Sequence, residues 1–548
     1  MLRITSLRNR HSALALFALV ALAGGCQLIA GIGGEEPLGK GGGGTGGSTT
    51  TGGGGNTLPT GTCSPDATQP CYTGADGTEG TGLCKGGVQT CGADGMWGAT
   101  CDGEVVPALE DCASSDDENC DGHDCAVWAK MFDTNVSSGA IGIDGQGNIY
   151  AGVGFSVGVD FGDGKPVVPV GSNDMAILAY DKTGKLLWVK AFPQSGSQAL
   201  GFMSVDSEGH IAIGGSTDTD MNLGLGNIPA GQFVAKLDNK GQLLWGVGIG
   251  GQSYISAVAL DSKGNVFVGG AGTSVDVGKG LLDGGDTGNF WIAKLGFANG
   301  LAEWAKITKG GKNEALYGMA VDPSDSIVLT GSWDGQYLGL SGDAGIPNDV
   351  YNCCGGAAPF LVRLDPNGNL SNYKMLAGYS PPITVYMNAI ANDPLGTSML
   401  AGSFSGKVDF QSGNYDAGMD TGMFVLRDQT SGFQQTGTFF VQSGVYASPS
   451  YVGLDSKQNV VMQGFYSGPL DFGGGPLPVT DSRFVVKLDK TGKYLWSRTY
   501  DFGDGGFNGM AVGTLEDETA LIGNFYGGID LGLGPVPGSG TFILRLGK

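Results

Sequence analysis

One stretch recurs through the chain and limits what it can fold into. Phe233 to Trp245 reads F-V-A-K-L-D-N-K-G-Q-L-L-W. Counterparts begin at Met175, Phe290, Phe360, Met423, Phe484 and Thr541, so the pattern occurs seven times. A second landmark, an apolar run ending in Asp and a turn, recurs at Asp144, Asp206, Asp261, Asp322, Asp393 and Asp455, and around Leu515, at intervals of 55–71 residues. A third, V-D-F-G-D-G at Val159, recurs at Val275, Val408, Leu470 and Ile529, and loosely at Met221 and Tyr337. Self-similarity at one period signals an array of supersecondary units.

Each period holds four short segments rich in β-branched and aromatic residues. In the third unit they are Ile255–Leu260, Asn265–Ala271, Phe290–Leu295 and Leu301–Ile307. The D-x-x-G-N and D-x-x-G pieces between them suit hairpin turns, where Asp and Asn bond the local backbone and Gly takes positive φ. That chemistry explains the acidic turns Asp261–Asn265 and Asp365–Asn369 without a metal. With 104 glycines in 548 residues, tight turns outweigh helix. The expected fold is all-β: a seven-bladed propeller of four-stranded blades over 126–548. The seventh unit stops after its third strand, and Trp128–Phe132 reads as an isolated strand before the first unit. Joining the two closes the ring and removes an open edge.

Residues 1–25 have the layout of an export signal, with Arg3, Arg8 and Arg10 before the apolar run Ala13–Ala23. Leu22-Ala23-Gly24-Gly25-Cys26 resembles the lipobox of bacterial lipoproteins, with Ala23 where that family usually has Leu. The resemblance implies lipidation at Cys26 and, since Gln27 follows, anchoring at the outer membrane or cell surface. Residues 26–62 form a Gly/Thr/Ser-rich tether with no apolar face to bury.

The segment 63–125 holds Cys63, Cys71, Cys84, Cys91, Cys101, Cys112, Cys120 and Cys125. An even number of cysteines in a short exported segment reads as a disulfide framework whose pairing spacing alone does not give. Its end, Asp116-Asp117-Glu118-Asn119-Cys120-Asp121-Gly122, resembles the acidic Cys-Asp-Gly motif of secreted myxobacterial proteins. Asp116, Asp117, Asp121 and Asp124 supply oxygen ligands of the kind calcium takes, and equally fit a solvated acidic loop. No other cofactor is expected. The seven units resemble the SBBP-type repeat propellers of secreted bacterial proteins, a likeness that implies architecture and not activity.

The formal charge of −23 is unsuited to nucleic acid. The three histidines, His11, His123 and His210, are spread over a leader, a Cys-rich segment and a turn, so no catalytic residue is expected. Aromatics in the longest loop, Trp333, Tyr337 and Tyr351, with Tyr386 beside the next strand, are the candidates for gripping a protein or polysaccharide. Their other reading is packing on their own blade. Cys353 and Cys354 in that loop suit a stiffening disulfide. The expectation is therefore a non-catalytic, membrane-anchored binding or scaffold lipoprotein. Ala179–Trp188 also looks like the tryptophan-docking motif of quinoprotein propellers and of the outer-membrane assembly lipoprotein, and these are the alternatives. In each, Trp188, Trp245, Trp304 and Trp496 are expected between blades.

Overall fold

A computed structural model describes residues 58, 60–75, 77–108, 117–118, 120, 126–224, 226–285, 288–309, 312–334, 337–340, 346–347, 358–375, 377–378, 384–393, 395–410, 414–418, 420–428, 435–478 and 482–547. Cys26, the tether through residue 57, Cys112, Cys125, Asp116, Asp121, Asp124, Tyr351, Cys353 and Cys354 lie outside the described residues. No helix occurs among those described.

Seven antiparallel blades of four strands form a propeller, the sheet of blade 3 being extended at its outer edge by the hairpin Tyr337–Leu340 and Ile346–Pro347. In blade 3 the strands run Ser253–Leu260, Val266–Gly272, Asn289–Leu295 and Ala302–Lys309, within two residues of the bounds read from the sequence. The first strand of each blade is innermost and packs against the first strands of both neighbouring blades, blade 7 (Gly506–Val512) meeting blade 1 (Val136–Ile143). The last blade is closed as expected. Ala126–Asp133 pairs with Gly540–Leu546, placing Trp128 opposite Arg545 and Asp133 opposite Gly540.

Second and third strands are largely apolar, as strands covered on both faces tend to be, with single polar or charged residues that find partners. Every residue of Ile149–Phe155, Asp174–Tyr180, Asn289–Leu295 and Gly540–Leu546 is buried. Antiparallel order sends the turns between first and second strands, and between third and fourth, to one end of the ring, here the turn face. The second-to-third loops and the blade-to-blade connections go to the other end, here the mouth face.

On the turn face the aspartates behave as the turn chemistry requires. Asp261 Oδ1 accepts from the amides of Lys263 and Asn265 at 3.0 and 2.7 Å, and Asp144, Asp206, Asp322, Asp393 and Asp455 repeat this. Between blades, four tryptophan indoles donate to a carbonyl in the next blade's outer turn, while Trp496, packed between blades 6 and 7, finds no acceptor among the described residues because blade 7's outer strands, Gly540–Leu546 and Ala126–Asp133, are not joined by a turn. Trp128 reaches Lys182, Trp188 Asn239, Trp245 Phe297 and Trp304 Pro366, at 2.8–3.2 Å. A glycine at positive φ makes room for the ring: a Cβ on Gly300 (φ 68°) would stand 2.5 Å from Trp245.

The V-D-F-G-D-G landmark, expected as a loop, is a small hairpin. Ser274–Val275 pairs with Leu282–Asp283, Lys407–Asp409 with Asn414–Asp416, and Ile529–Asp530 with Pro535–Val536. Its Asp caps the tip, as Asp276 does for Gly278 and Gly280. The residues flanking that Asp turn inward, so Phe410 sits 4.8 Å from Phe424 and Phe472 5.1 Å from Phe484. These loops are pinned to their blades and are not free flaps.

In the Cys-rich segment, three bridges join Cys63 to Cys91, Cys71 to Cys101 and Cys84 to Cys120. They enclose loops of 28–36 residues, each stabilising by about 3–4 kcal/mol if chain entropy dominates. They support a two-stranded sheet, Thr68–Cys71 with Gly87–Thr90, and fit an exported protein.

Candidate functional site

The charged residues of the repeated stretch belong to the scaffold. At the Lys position of F-V-A-K-L-D, Lys294 Nζ lies 3.3 Å from Asp261 and Lys487 Nζ 2.9 Å from Asp455, while Arg363 binds Asp322. Lys236 donates to the carbonyl of Gly264 in the neighbouring turn. Blade 1 has Ala179 there, and the buried Tyr150 hydroxyl takes over, donating to Asp144 Oδ2 at 2.9 Å. Thus Asp144, Asp261, Asp322 and Asp455, besides holding amides, are neutralised or bonded from their own blade, and Asp393 accepts from Gln458 of the next blade at 2.9 Å. Buried charges must be paired in this way.

Among the described residues no group of three or more His, Cys, Asp or Glu side chains is placed to hold a metal ion. Of the four acidic-motif residues only Asp117 is described; its carbonyl accepts from the Leu83 amide at 2.9 Å. His210 bonds Asp206 within its turn, 2.9 Å away.

Of the loop aromatics, Trp333 is not available to a ligand. It lies in the second strand of blade 4 (Ile327–Asp334), fully buried, its ring 5.4 Å from Phe360. Tyr337 opens a hairpin strand, Tyr337–Leu340, paired with Ile346–Pro347. Tyr386 is exposed, near the start of the innermost strand Thr384–Asn392.

Tyr386 has companions that sequence reasoning missed. Each innermost strand carries a β-bulge at one level, with the extra residue at Gly201, Ser256, Tyr317, Asn388, Ser450 and Asn508, and a wider irregularity at Gly139–Ala140 in blade 1. Tyr254 and Tyr386 stand two residues before their bulge, Tyr446 four before, and Tyr317 is itself the extra residue. Even offsets put all four on one face of their strands. They are 70 %, 49 %, 52 % and 37 % exposed respectively. An innermost strand is covered by its own blade and by both neighbours, so this exposure faces the axial channel. Blades 3 to 6 thereby present a crescent of tyrosines towards the mouth. Blades 1, 2 and 7 hold Ser137, Ala199 and Gly506 two residues before the bulge level.

The crescent leads into a cleft between blades 6 and 7 of about 360 Å³, lined by Ser450, Phe465, Arg483, Asn508, Asn524 and Tyr526 among others. Tyr446 lies 5.9 Å from Phe465, and the Arg483 guanidinium rests 4.8 Å over that Phe465 ring. Arg483 Nη2 donates to the Gly505 carbonyl at 3.1 Å, and burial holds the guanidinium below its ordinary range. No described carboxylate forms an ion pair with it. A Cβ on Gly506 would stand 2.8 Å from Arg483 Nε, so the glycine admits the side chain. Asn524 Oδ1 is taken by Thr541 Oγ1 at 2.7 Å, which leaves its amide NH₂ towards the cleft. A second depression, about 650 Å³, adjoins at Tyr526 and the blade 7 hairpin.

No protein-family model matches the chain. It is 29 % identical over 162 residues to regulatory protein FlaEY of Caulobacter vibrioides; the match spans 27 % of this chain and 17 % of that protein. Among solved structures, an ulvan lyase of polysaccharide lyase family PL25, bound to -[GlcA(1-4)Rha3S]-, aligns at TM-score 0.41 and 11 % identity, covering 77 % of this chain and 96 % of the other. Sqt1 from Chaetomium thermophilum aligns at TM-score 0.41 and 10 % identity (77 % and 99 % covered), and YCF48 bound to D1 peptide at 0.36 and 8 % (81 % and 99 %). Likenesses this distant leave the chemistry to be argued from the chain's own residues.

Proposed function

We propose that this is an exported binding protein, anchored through a lipid on Cys26, that holds a polysaccharide across the mouth of its propeller and catalyses no reaction on it. The observation that carries the reading is the crescent Tyr254, Tyr317, Tyr386 and Tyr446, exposed on consecutive innermost strands. Exposed rings in a row suit a polymer of repeating units, since each offers a flat apolar face and all but Tyr317, whose hydroxyl meets Ser332 Oγ at 2.9 Å, a polar hydroxyl beside it. The non-catalytic part is supported by where the cations of the repeat go: Lys294, Arg363 and Lys487 are bound to turn aspartates, Arg545 to Glu516, and Lys236 and Arg427 to turn carbonyls. The tether of residues 26–62 suits presentation of the ring away from a membrane. The purified chain on an array of bacterial, algal and plant glycans is expected to bind at least one class, and binding to none overturns the reading. Cys26→Ala is expected to release the protein from the membrane fraction and to abolish labelling by a fatty-acid probe.

A further inference from the structure

The cleft between blades 6 and 7 sets a cation against a cavity. Elsewhere on the third strands Lys294, Arg363, Lys487 and Arg545 pair with Asp261, Asp322, Asp455 and Glu516, while Lys236 and Arg427 are spent on the Gly264 and Gln458 carbonyls of neighbouring turns. Arg483, at the mouth end of its strand, has a carbonyl and a ring but no paired carboxylate among the described residues. A desolvated charge without a counter-charge is costly, and in a chain of net charge −23 acidic groups are not scarce. The chain holds this cation at the wall of a cavity, and glycine at 506 leaves room for it.

We propose that this cleft is an anchoring subsite for a uronic acid residue of a polysaccharide, with Arg483 binding the sugar carboxylate. This rests on the glycan reading above and narrows it to acidic glycans. A guanidinium matches a carboxylate in charge and geometry better than any other side chain. Around it stand the donors a sugar's hydroxyls need. The Ser450 hydroxyl and the Asn508 amide bond no other described residue, and the Asn524 NH₂ is free of an acceptor. Phe465 and Tyr526 are the cleft's rings, and Tyr446, next to Phe465, joins it to the crescent. The volume of about 360 Å³ falls at the low end of the roughly 300–1,000 Å³ of small-molecule sites.

Two other anionic ligands fit less well. A peptide C-terminus is commonly captured by a cradle of backbone amides. Here the Gly503 amide is taken by Asp501 Oδ1 and the Gly505 amide by the Phe502 carbonyl. A polyphosphate or nucleic acid needs several cations, and the cleft's lining holds one, with Asp504 beside it. Asp504 is exposed, so solvent and salt screen its repulsion of a carboxylate more than they screen the attraction of half-buried Arg483.

The test is a glycan array carrying neutral and uronate-rich polysaccharides, with tetragalacturonate and its methyl ester compared by calorimetry on the full chain. The wild type is expected to bind the acid form at least about tenfold more tightly than the ester. Arg483→Gln removes that preference, and Arg483→Lys keeps part of it. If Arg483→Gln does not fold, the wild type's preference for acid over ester is read at low and high salt; it is expected to shrink as salt rises, and a preference indifferent to salt overturns the subsite. Binding confined to neutral glycans, equal binding of acid and ester, or a preference that survives Arg483→Gln overturns the subsite while leaving the glycan reading in place. Absence of binding to any glycan overturns both. Arg483-dependent binding of C-terminal peptides in its place assigns the cleft to polypeptide and overturns the uronate proposal.

Discussion

The two ends of the ring are built from the same repeat and treat their polar groups in opposite ways. On the turn face the aspartates hold backbone amides, cations or a tyrosine hydroxyl hold the aspartates, and indole NH groups reach across to the next blade. On the mouth face the hairpins are capped in the same manner, but the channel rim is not closed. Tyrosines are left exposed, and Arg483 faces a cavity in which no described carboxylate is ion-paired to it. Where the repeat is kept, it holds the ring together. Where it is broken, at the crescent and at the blade 6–7 cleft, the molecule has surface to spare for a ligand.

This contrast is best broken where it is strongest. Lys487→Met should leave Asp455 charged and buried, costing about 3–5 kcal/mol in denaturant unfolding; a loss below 1 kcal/mol would mean that the turn-face pairs are incidental. Asp428 is a milder case with a pH signature. It is buried, its Oδ2 is 3.9 Å from Arg363, and burial outweighs the nearby Arg363 and Lys374 charges, raising its carboxyl to about 6. A raised carboxyl binds its proton more tightly folded than unfolded, so stability should fall as pH rises from about 4 through 6. Asp428→Asn should remove that slope and be more stable at pH 7, by up to about 3 kcal/mol, while matching the wild type at pH 4. An unchanged slope between pH 4 and 7 would remove Asp428 from the account.

Gly300→Ala places a methyl against Trp245 at a positive φ, and should cost about 1–3 kcal/mol. The matching change at Gly280, at positive φ on the mouth face with nothing within 4 Å of its Cβ, should cost less. Equal losses at the two glycines would say that φ alone matters and that the tryptophan docks add nothing. The smallest effect belongs to the crescent. Alanine at Tyr254, Tyr386 or Tyr446 should change stability by under about 0.5 kcal/mol each, as exposed positions do.

Much of this was readable in the chain. The period gave seven blades, the short seventh unit pointed to closure by Trp128–Phe132, and the D-x-x-G-N pieces are the turns their composition implies. The Trp188, Trp245 and Trp304 docks were also legible, because their spacing from the turn is fixed. Lys294 was not, since its partner Asp261 is in the turn between the blade's first two strands and no local pattern links them. Trp333 was misread as a loop residue. Second strands are covered on both faces and lack the alternation that marks a strand, so the strand end was placed too early. Tyr254, Tyr317 and Tyr446 sit in strands that look ordinary, and their common exposure depends on bulges invisible in one dimension. Arg483 reads as a routine charge before F-V-V-K and becomes distinctive only when it proves to line a cavity with no ion-paired carboxylate among the described residues.

The central claim is that the mouth face binds and the turn face holds. It is tested most directly by the combined variant Tyr254→Ala, Tyr386→Ala and Tyr446→Ala, measured for affinity to whichever glycan the array identifies and for its denaturation midpoint. The account predicts an affinity loss of about a hundredfold or more, at roughly 1–3 kcal/mol per stacking ring by analogy with bases stacked on aromatic side chains, with the midpoint nearly unmoved. Unchanged affinity in a folded triple variant would contradict it.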